Sequence, residues 1–382
     1  MDWPLKGITV LDFSQFLAGP YASLRLLDLG ARVIKIENPD GGDLCRRHYL
    51  SDTRIDGDST LFHAINRGKE SVALDLKSRK GRAVARDLIA GADVVIQNFR
   101  PGVIARLDLD FEAVRRIRPD IVYGSVSGYG DVGDWAELPG QDLLAQARSG
   151  IMWLSGNEGA GPVPIGLPIA DIAAGATLAT GLLGALVRQA RTGQGGLVET
   201  SLLEAAADMQ FEFLTTYLNN GRKRPARLPR GSAHGYLGAP YGVFETSDGH
   251  LALAMSPLAR LSELLGLADL GEGAADPGAG FDRRVSIHDG IARALKRRSA
   301  AEWEEALTPE GIWCARVLTW DEMLASSSFD ALELVSHVLD NRGKARSHMA
   351  APFRLDGQRA GASRPAPKLD ADGPRLRGGS AG

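Results

Sequence analysis

One carboxylate stands out as a group that could do covalent chemistry. Asp171 lies in Gly161–Gly175 (GPVPIGLPIADIAAG), an apolar stretch rich in glycine and proline, just ahead of a helix of small residues. Aspartate is a favoured N-cap, so the residue has a plain structural use there. The same position offers a carboxylate at a helix N-terminus, available as a nucleophile or base. Such a nucleophile needs no activating base when its partner is a reactive acyl group. Both uses can hold together, since a helix dipole favours the ionised form.

Other chemistries lack their residues. Gly128–Gly133 (GYGDVG) fits GxGxxG and follows a strand, but it runs into DWAELPG and not into a helix. It reads as a loop over a pocket at the strand's carboxyl edge, not as a dinucleotide fingerprint. GxxxxGK[ST] and HExxH do not occur, and no GxSxG elbow joins a strand to a helix. The histidines at 48, 63, 234, 250, 288, 337 and 348 include no i, i+3 or i, i+4 pair. Cys45 and Cys314 alone cannot build a zinc site. No metal is expected. His48 and His234, in glycine- or arginine-rich loops, are left as candidates for substrate contact.

Elements must hold these groups in place. Val- and Ile-rich runs at Gly7–Phe13, Ala31–Glu37, Asp93–Phe99 and Asp120–Val126 read as strands. They alternate with helical periods at Tyr21–Leu29, Ser78–Ala92 and Phe111–Arg118. That alternation predicts a parallel sheet covered on both faces. A long helix follows over Gly175–Arg191, then a short strand at Leu197–Ser201 and a helix over Leu202–Asn219. The basic, proline-containing segment 221–235 reads as a linker. A hairpin over Tyr241–Met255 and helices at Leu258–Leu265, Val285–Lys296 and Ala300–Leu307 predict a small α+β domain over 223–318. Gly271–Asp282 reads as a loop. From about Gly357 the composition turns to Gly, Pro, Ala and Arg, which predicts an extended or disordered end.

Composition narrows the class. Of 382 residues, 44 are basic and 47 acidic, a net charge of −3, which argues against a nucleic-acid groove. The apolar run Ile169–Val187 is interrupted by Asp171, glycines and threonines, and reads as a buried helix, not a membrane span. The N-terminal MDWPLKGITVLDF carries no basic region followed by an apolar stretch, so a reducing, cytoplasmic setting is expected.

Ten segments taken in order resemble the class III CoA-transferases, the CaiB/BaiF family, over about residues 5–355. They are LDFSQFLAGPYAS (11–23), ARVIKIENPDGGD (31–43), NRGKESVALDLKSRKGR (66–82), VIQNFRPGVIARL (95–107), SVSGYGDVGDW (125–135), GQDLLAQARSG (140–150), GLPIADIAAG (166–175), TGQGGLVETSLLEA (192–205), PYGVFETSDGHLALA (240–254) and GIWCARVLTWDEML (311–324). The resemblance implies an α/β fold. A large Rossmann-like domain (1–222, completed by about 319–360) is joined by linkers to the small domain, and two ring-shaped protomers interlock as a homodimer. Residues 361–382 depart from the family's usual C-terminal helix. The substrates implied are an acyl-CoA and a carboxylic acid, with no metal, nucleic acid or membrane as partner.

By the same resemblance the catalytic aspartate is Asp171, and the CoA contacts are Leu74, Asp75, Leu76, Lys77, Asn98, Phe99 and Arg106. Arg106 can pair a phosphate bidentately. Leu74 and Phe99 can flank the adenine or simply pack in the core. An arginine common after the family's second strand is Asn38 here, with Arg46 or Arg47 as the compensating cation. Racemases of the family place a histidine where this chain has Gln141, in Gly140-Gln141-Asp142. An amide takes no proton at neutral pH, but it can orient a substrate oxygen, as can Gln15 in the first loop. The sequence therefore reads as a CoA-transferase. A 2-methylacyl-CoA racemase and a catalytically inactive acyl-CoA-binding protein are the alternatives.

Overall fold

A computed structural model describes residues 2–50, 52–267, 277–360 and 364–378; of the expected loop Gly271–Asp282, residues 271–276 lie outside them and Pro277–Asp282 forms a short helix instead. The chain forms two units. One comprises Met1–Arg148, Leu167–Met209 and Ser327–Gly382, the other Ser149–Gly166 and Gln210–Ser326. The expected break at 222/223 thus falls earlier, and the return near 319 falls later. The cause of the first shift is local: the helix expected over Leu202–Asn219 is two helices, Leu202–Asp208 and Phe211–Asn219, interrupted at Met209-Gln210.

The first unit is built on six parallel strands: β1 (Thr9–Asp12), β2 (Arg32–Glu37), β3 (Glu70–Ala73), β4 (Val94–Gln97), β5 (Val122–Ser127) and β6 (Gly196–Ser201). Their order across the sheet is β3-β2-β1-β4-β5-β6. That order reverses direction between β1 and β4, the place where open α/β sheets leave a crevice for ligands. Five helices matter below: α1 (Ala18–Asp28), α2 (Arg79–Ala90), α3 (Phe111–Ile117), α4 (Asp142–Ser149) and α5 (Ile169–Thr192).

Alternate strand residues feed two cores. Val10, Val33, Val94, Ile96 and Val122 pack with α1 and α5 on one face. Leu11, Ile34, Val72, Val95 and Tyr123 pack with α2 and α3 on the other. Burial on both faces explains why these strands read as continuous apolar runs. Helix α5 is apolar and long enough to cross a membrane, but Ala174, Leu178, Leu182 and Leu186 lie in the first of these cores. In the second unit an antiparallel sheet joins Gly242–Glu245, His250–Leu253 and Cys314–Arg316. Its core centres on Phe244, Leu251, Ile291 and Trp303.

The chain end corrects the expectation of a loose tail. Pro365–Arg377 runs along the free edge of β3 and closes with a short helix, Gly373–Arg377. The outward N–H groups of Ser71 and Ala73 donate to the carboxylates of Asp372 (3.0 Å) and Asp370 (2.8 Å). Arg375 pairs with Glu70 at 2.8 Å, and Arg377 pairs with Asp370 at 2.6 Å. Composition misleads here because the order comes from ion pairs to a strand some 300 residues away, not from an apolar run.

After β5, Gly128 and Gly140 touch backbone to backbone; a Cβ on Gly128 would lie 2.6 Å from the Gly140 Cα. The residues between them form the loop expected from the GYGDVG segment, and no helix starts until Asp142.

Candidate active site

All six strands of this sheet point their carboxyl ends the same way, and the chemistry-bearing residues follow those ends. Gln15 follows β1, Leu74–Lys77 follow β3, Asn98 and Phe99 follow β4, and Gln141 follows β5. Helix α5 leads back into β6, so its N-terminus starts at this same edge. Two loops meet at the point of reversal. The Gln15 N–H donates to Asn98 Oδ1 (2.8 Å), and Asn98 Nδ2 donates to the Gln15 carbonyl (2.7 Å). Both ends of the Asn98 amide thus help to shape the β1 loop.

A buried ionic network fixes that loop from below. Lys35 Nζ reaches Asp43 at 2.8 Å and donates to the Ser14 carbonyl at 2.8 Å. Lys69 Nζ donates to Asp12 (3.0 Å), Ser23 (2.8 Å) and the Pro20 carbonyl (3.0 Å). Burial opposes ionisation of Asp12, yet Lys69 and Lys35 outweigh it and hold the carboxyl far below its usual range. Burial also pushes the Lys69 ammonium down to about 8, against the pull of Asp12. Asp43 Oδ1 accepts from the Phe16 N–H (3.2 Å), and Phe16 sits at φ 63°, in the left-handed region. A non-glycine residue is held there only when its surroundings over-determine it.

Asp171 is not the N-cap expected of it. Helix α5 starts at Ile169, with Pro168 in the cap position and no cap from its own side chain. Asp171 therefore lies inside the first turn. The capping carboxylate is Asp142: its Oδ1 accepts from the backbone N–H of Ala170 (2.7 Å) and of Asp171 (3.3 Å). Gln146 Nε2 donates to the other oxygen of Asp142 at 2.7 Å. Freed from capping, the Asp171 side chain stands half-buried beside a second carboxylate. Burial, and then the Asp142 charge, push its carboxyl up to about 7. This reverses the expectation that the helix dipole keeps the group firmly ionised; desolvation and a like charge win.

The adjoining turn of α5 is pressed against α1. A Cβ on Gly175 would lie 2.5 Å from the Ala18 carbonyl oxygen. Ile172 packs with Leu17 and Tyr21. Gln141 immediately precedes α4, its carbonyl accepts from the Ala145 N–H (2.9 Å), and its side chain is exposed.

The remaining sequence candidates divide by exposure. Leu74 is buried, with Leu76 and Phe99 packed against the same core, so core packing accounts for much of what these three do. The Phe99 N–H donates to Gln97 Oε1 (2.8 Å). Asp75 accepts from the Lys77 N–H (3.0 Å), which folds the loop back on itself, and Lys77 is exposed. Arg106 ends the short helix Val103–Arg106 with an exposed guanidinium that has no ion-pair partner among the described residues. Arg46 cannot be the compensating cation: it is buried in a two-point pair with Glu37 (2.7 and 2.8 Å) and a further pair with Asp58. Arg47 stays exposed. His48 is exposed, and His234 belongs to the second unit, where its ring lies 4.3 Å from that of Phe213. Among the described residues no His, Cys, Asp and Glu group could hold a metal. Sequence reasoning missed Asp142 as a partner of Asp171; its place directly after Gln141 in GQDLLAQARSG was the available signal.

Known proteins give the arrangement its context. The sequence profile of CoA-transferase family III matches residues 5–373. A succinate–glutarate CoA-transferase from Agrobacterium fabrum is 31% identical, over 96% of this chain and 93% of its own. An acetyl-CoA:oxalate CoA-transferase from Acetobacter aceti is 32% identical, over 98% of this chain and 95% of its own. The crystal structure of a CaiB/BaiF family protein from Brucella suis superposes with a TM-score of 0.85 at 31% identity, covering 99% of both chains.

Proposed function

The chain belongs to CoA-transferase family III, and from that premise we propose that it moves CoA from an acyl-CoA donor to a free carboxylic acid through an aspartyl-CoA thioester on Asp171. One observation carries the reading. Asp171 sits at the carboxyl edge of the sheet, off capping duty, with its carboxyl raised to about 7 by burial and by Asp142. A carboxylate of that basicity is a stronger nucleophile than an ordinary aspartate, and a useful fraction is ionised at neutral pH.

The steps balance without an outside energy source. The Asp171 carboxylate attacks the donor thioester carbonyl, the C–S bond breaks, and CoA leaves as the thiolate with a mixed anhydride behind it. The thiolate then attacks the Asp171 carbonyl and expels the donor acid as its carboxylate. The acceptor carboxylate repeats both exchanges in reverse, which restores Asp171 and yields the new acyl-CoA. The activated acyl bond is conserved throughout, so neither ATP nor a metal is called for. The exposed Gln141 amide, Gln15 and backbone N–H groups at the edge are the donors for the tetrahedral oxyanions. Leu74–Lys77, Asn98, Phe99 and Arg106 would hold CoA. Asn98 would act by shaping the Gln15 loop, and Arg106 or Arg47 would meet phosphate. The working form is a homodimer of interlocked rings. Apolar groups exposed in the second unit, Phe211 and Leu218 among them, support it, and light scattering tests it.

The names of the relatives make short dicarboxylic acids such as succinate, glutarate and oxalate the first acceptors to try. The decisive experiment incubates the enzyme with each acyl-CoA and maps the adduct by peptide mass spectrometry. CoA bound through a thioester to the peptide carrying Asp171 is the expected result. Turnover with no such adduct, under conditions that trap thioesters, rejects the covalent route.

A further inference from the structure

We propose that the carboxyl-terminal segment Pro365–Arg377 is a positioning element for CoA binding, acting through Asp370 on the loop Leu74–Lys77. The inference rests on the reading above that this loop contacts CoA. Its basis is the match between the segment and the edge strand β3. Outward N–H groups on a strand recur every second residue. Here they belong to Ser71 and Ala73, and the carboxylates that accept from them, Asp372 and Asp370, are also two residues apart. The Asp372 N–H donates back to the Ser71 carbonyl (3.0 Å), and the Asp370 N–H to the Ser71 hydroxyl (3.1 Å). Arg377 donates to the Ala73 carbonyl at 3.1 Å while pairing with Asp370.

Both backbone groups of Ala73, the last residue before the loop, are therefore held by the chain end. The apolar side is continuous as well: Leu376 packs into the core that contains Leu74, Leu76 and Phe99. Two details show that the fit is specific. Asp370 adopts φ 61°, which a non-glycine residue keeps only under constraint. A Cβ on Gly373 would lie 1.9 Å from Asp370 Oδ1, so glycine is required where the carboxylate lies. An edge strand could be covered by any loop or charge. This segment instead anchors the one residue from which the CoA loop departs.

The test uses the full-length enzyme carrying Asp370→Ala or Asp370→Asn, with Lys77→Ala as a reference for the loop itself. Hydrogen exchange is followed over residues 70–78, and CoA affinity is measured by calorimetry. The KM for acyl-CoA is compared with the KM for the free acid. Asp370→Ala should speed exchange at Ala73–Ser78, weaken CoA about five- to twentyfold and raise the acyl-CoA KM alike, since small misplacements of a binding group are costly. The KM for the acid and kcat should stay within about twofold, and Asn, which keeps an acceptor oxygen, should recover most of the loss. Unchanged exchange in Asp370→Ala overturns the positioning role. So does an equal loss in every kinetic constant, which would mark a merely structural part. Faster exchange with unchanged CoA affinity also overturns the proposal; if Lys77→Ala then leaves CoA affinity unchanged too, it is the loop's assignment to CoA that has failed.

Discussion

Asp142 caps the helix that carries Asp171, and by doing so it both frees that side chain and raises its pKa. Its Oδ1 takes the N–H groups of Ala170 and Asp171 at 2.7 and 3.3 Å, and its charge faces a carboxyl already raised by burial. Removing the charge while keeping an acceptor separates these two effects.

A first prediction concerns pH. With the Asp171 carboxyl raised to about 7, kcat/KM for the donor should fall as pH drops through 7, about tenfold per unit below it. Asp142→Asn keeps an oxygen for the cap and removes the like charge, so the limb should move to lower pH. A pH–rate profile of both proteins checks this. An unmoved limb would assign the ionisation to another group.

Asp171→Asn should leave less than about 1% of turnover, because an amide cannot form the thioester, while CoA affinity stays near wild type. The same change should stabilise the fold. A folded pKa near 7 against an ordinary 3.8 means that the native state holds a proton the unfolded chain has lost. Stability from Asp171 is thus lost as pH rises from about 4 to 7, up to a ceiling of about 4 kcal/mol at three units. The gain in Tm from Asp171→Asn should therefore be larger at pH 8 than at pH 5, by thermal denaturation at both. An equal gain at the two values would contradict the raised pKa.

Arg106→Ala should weaken CoA by about 1.5–3 kcal/mol, the usual worth of a charged hydrogen bond, and leave a pantetheine thioester unaffected. The motivation is an exposed guanidinium, without an ion pair among the described residues, at the ligand-bearing edge of the sheet. Calorimetry with the two ligands decides it. Equal losses would move Arg106 out of the phosphate site.

Transfer should proceed without washing out an α-proton. Asp171 can serve only one face of an α-carbon, and Gln141, where a racemase of this family has histidine, cannot deliver a proton to the other. Losing one acid–base partner typically removes about 10²–10⁴-fold of rate. NMR of a 2-methylacyl-CoA incubated with enzyme in D₂O is the measurement. Label uptake as fast as CoA exchange would make the protein a racemase.

The strands that bury both faces, β1, β2, β4 and β5, were legible because their apolar runs are set by local composition. β3 was not. Glu70–Ala73 is short and opens on an acid, and it becomes a strand through β2 on one side and the chain end on the other. Asp171 was legible as a special carboxylate from its apolar, glycine-rich setting. Its partner was not, because a cap supplied from Asp142 leaves no mark near residue 171. Arg46 looked free in the sequence for the same reason: its partners, Glu37 at the end of β2 and Asp58, lie outside its own turn.

The contact between Gly128 and Gly140 separates two kinds of sequence freedom. A ring of chain tied off at its base transmits little of what happens at its tip, where Val132 is 87% exposed. Residues 132–134 thus behave as an exchangeable tip. Their composition can drift or be engineered while Tyr129, buried under the Arg148 guanidinium, and Gln141 and Asp142, just past the knot, keep their register with the nucleophile's helix.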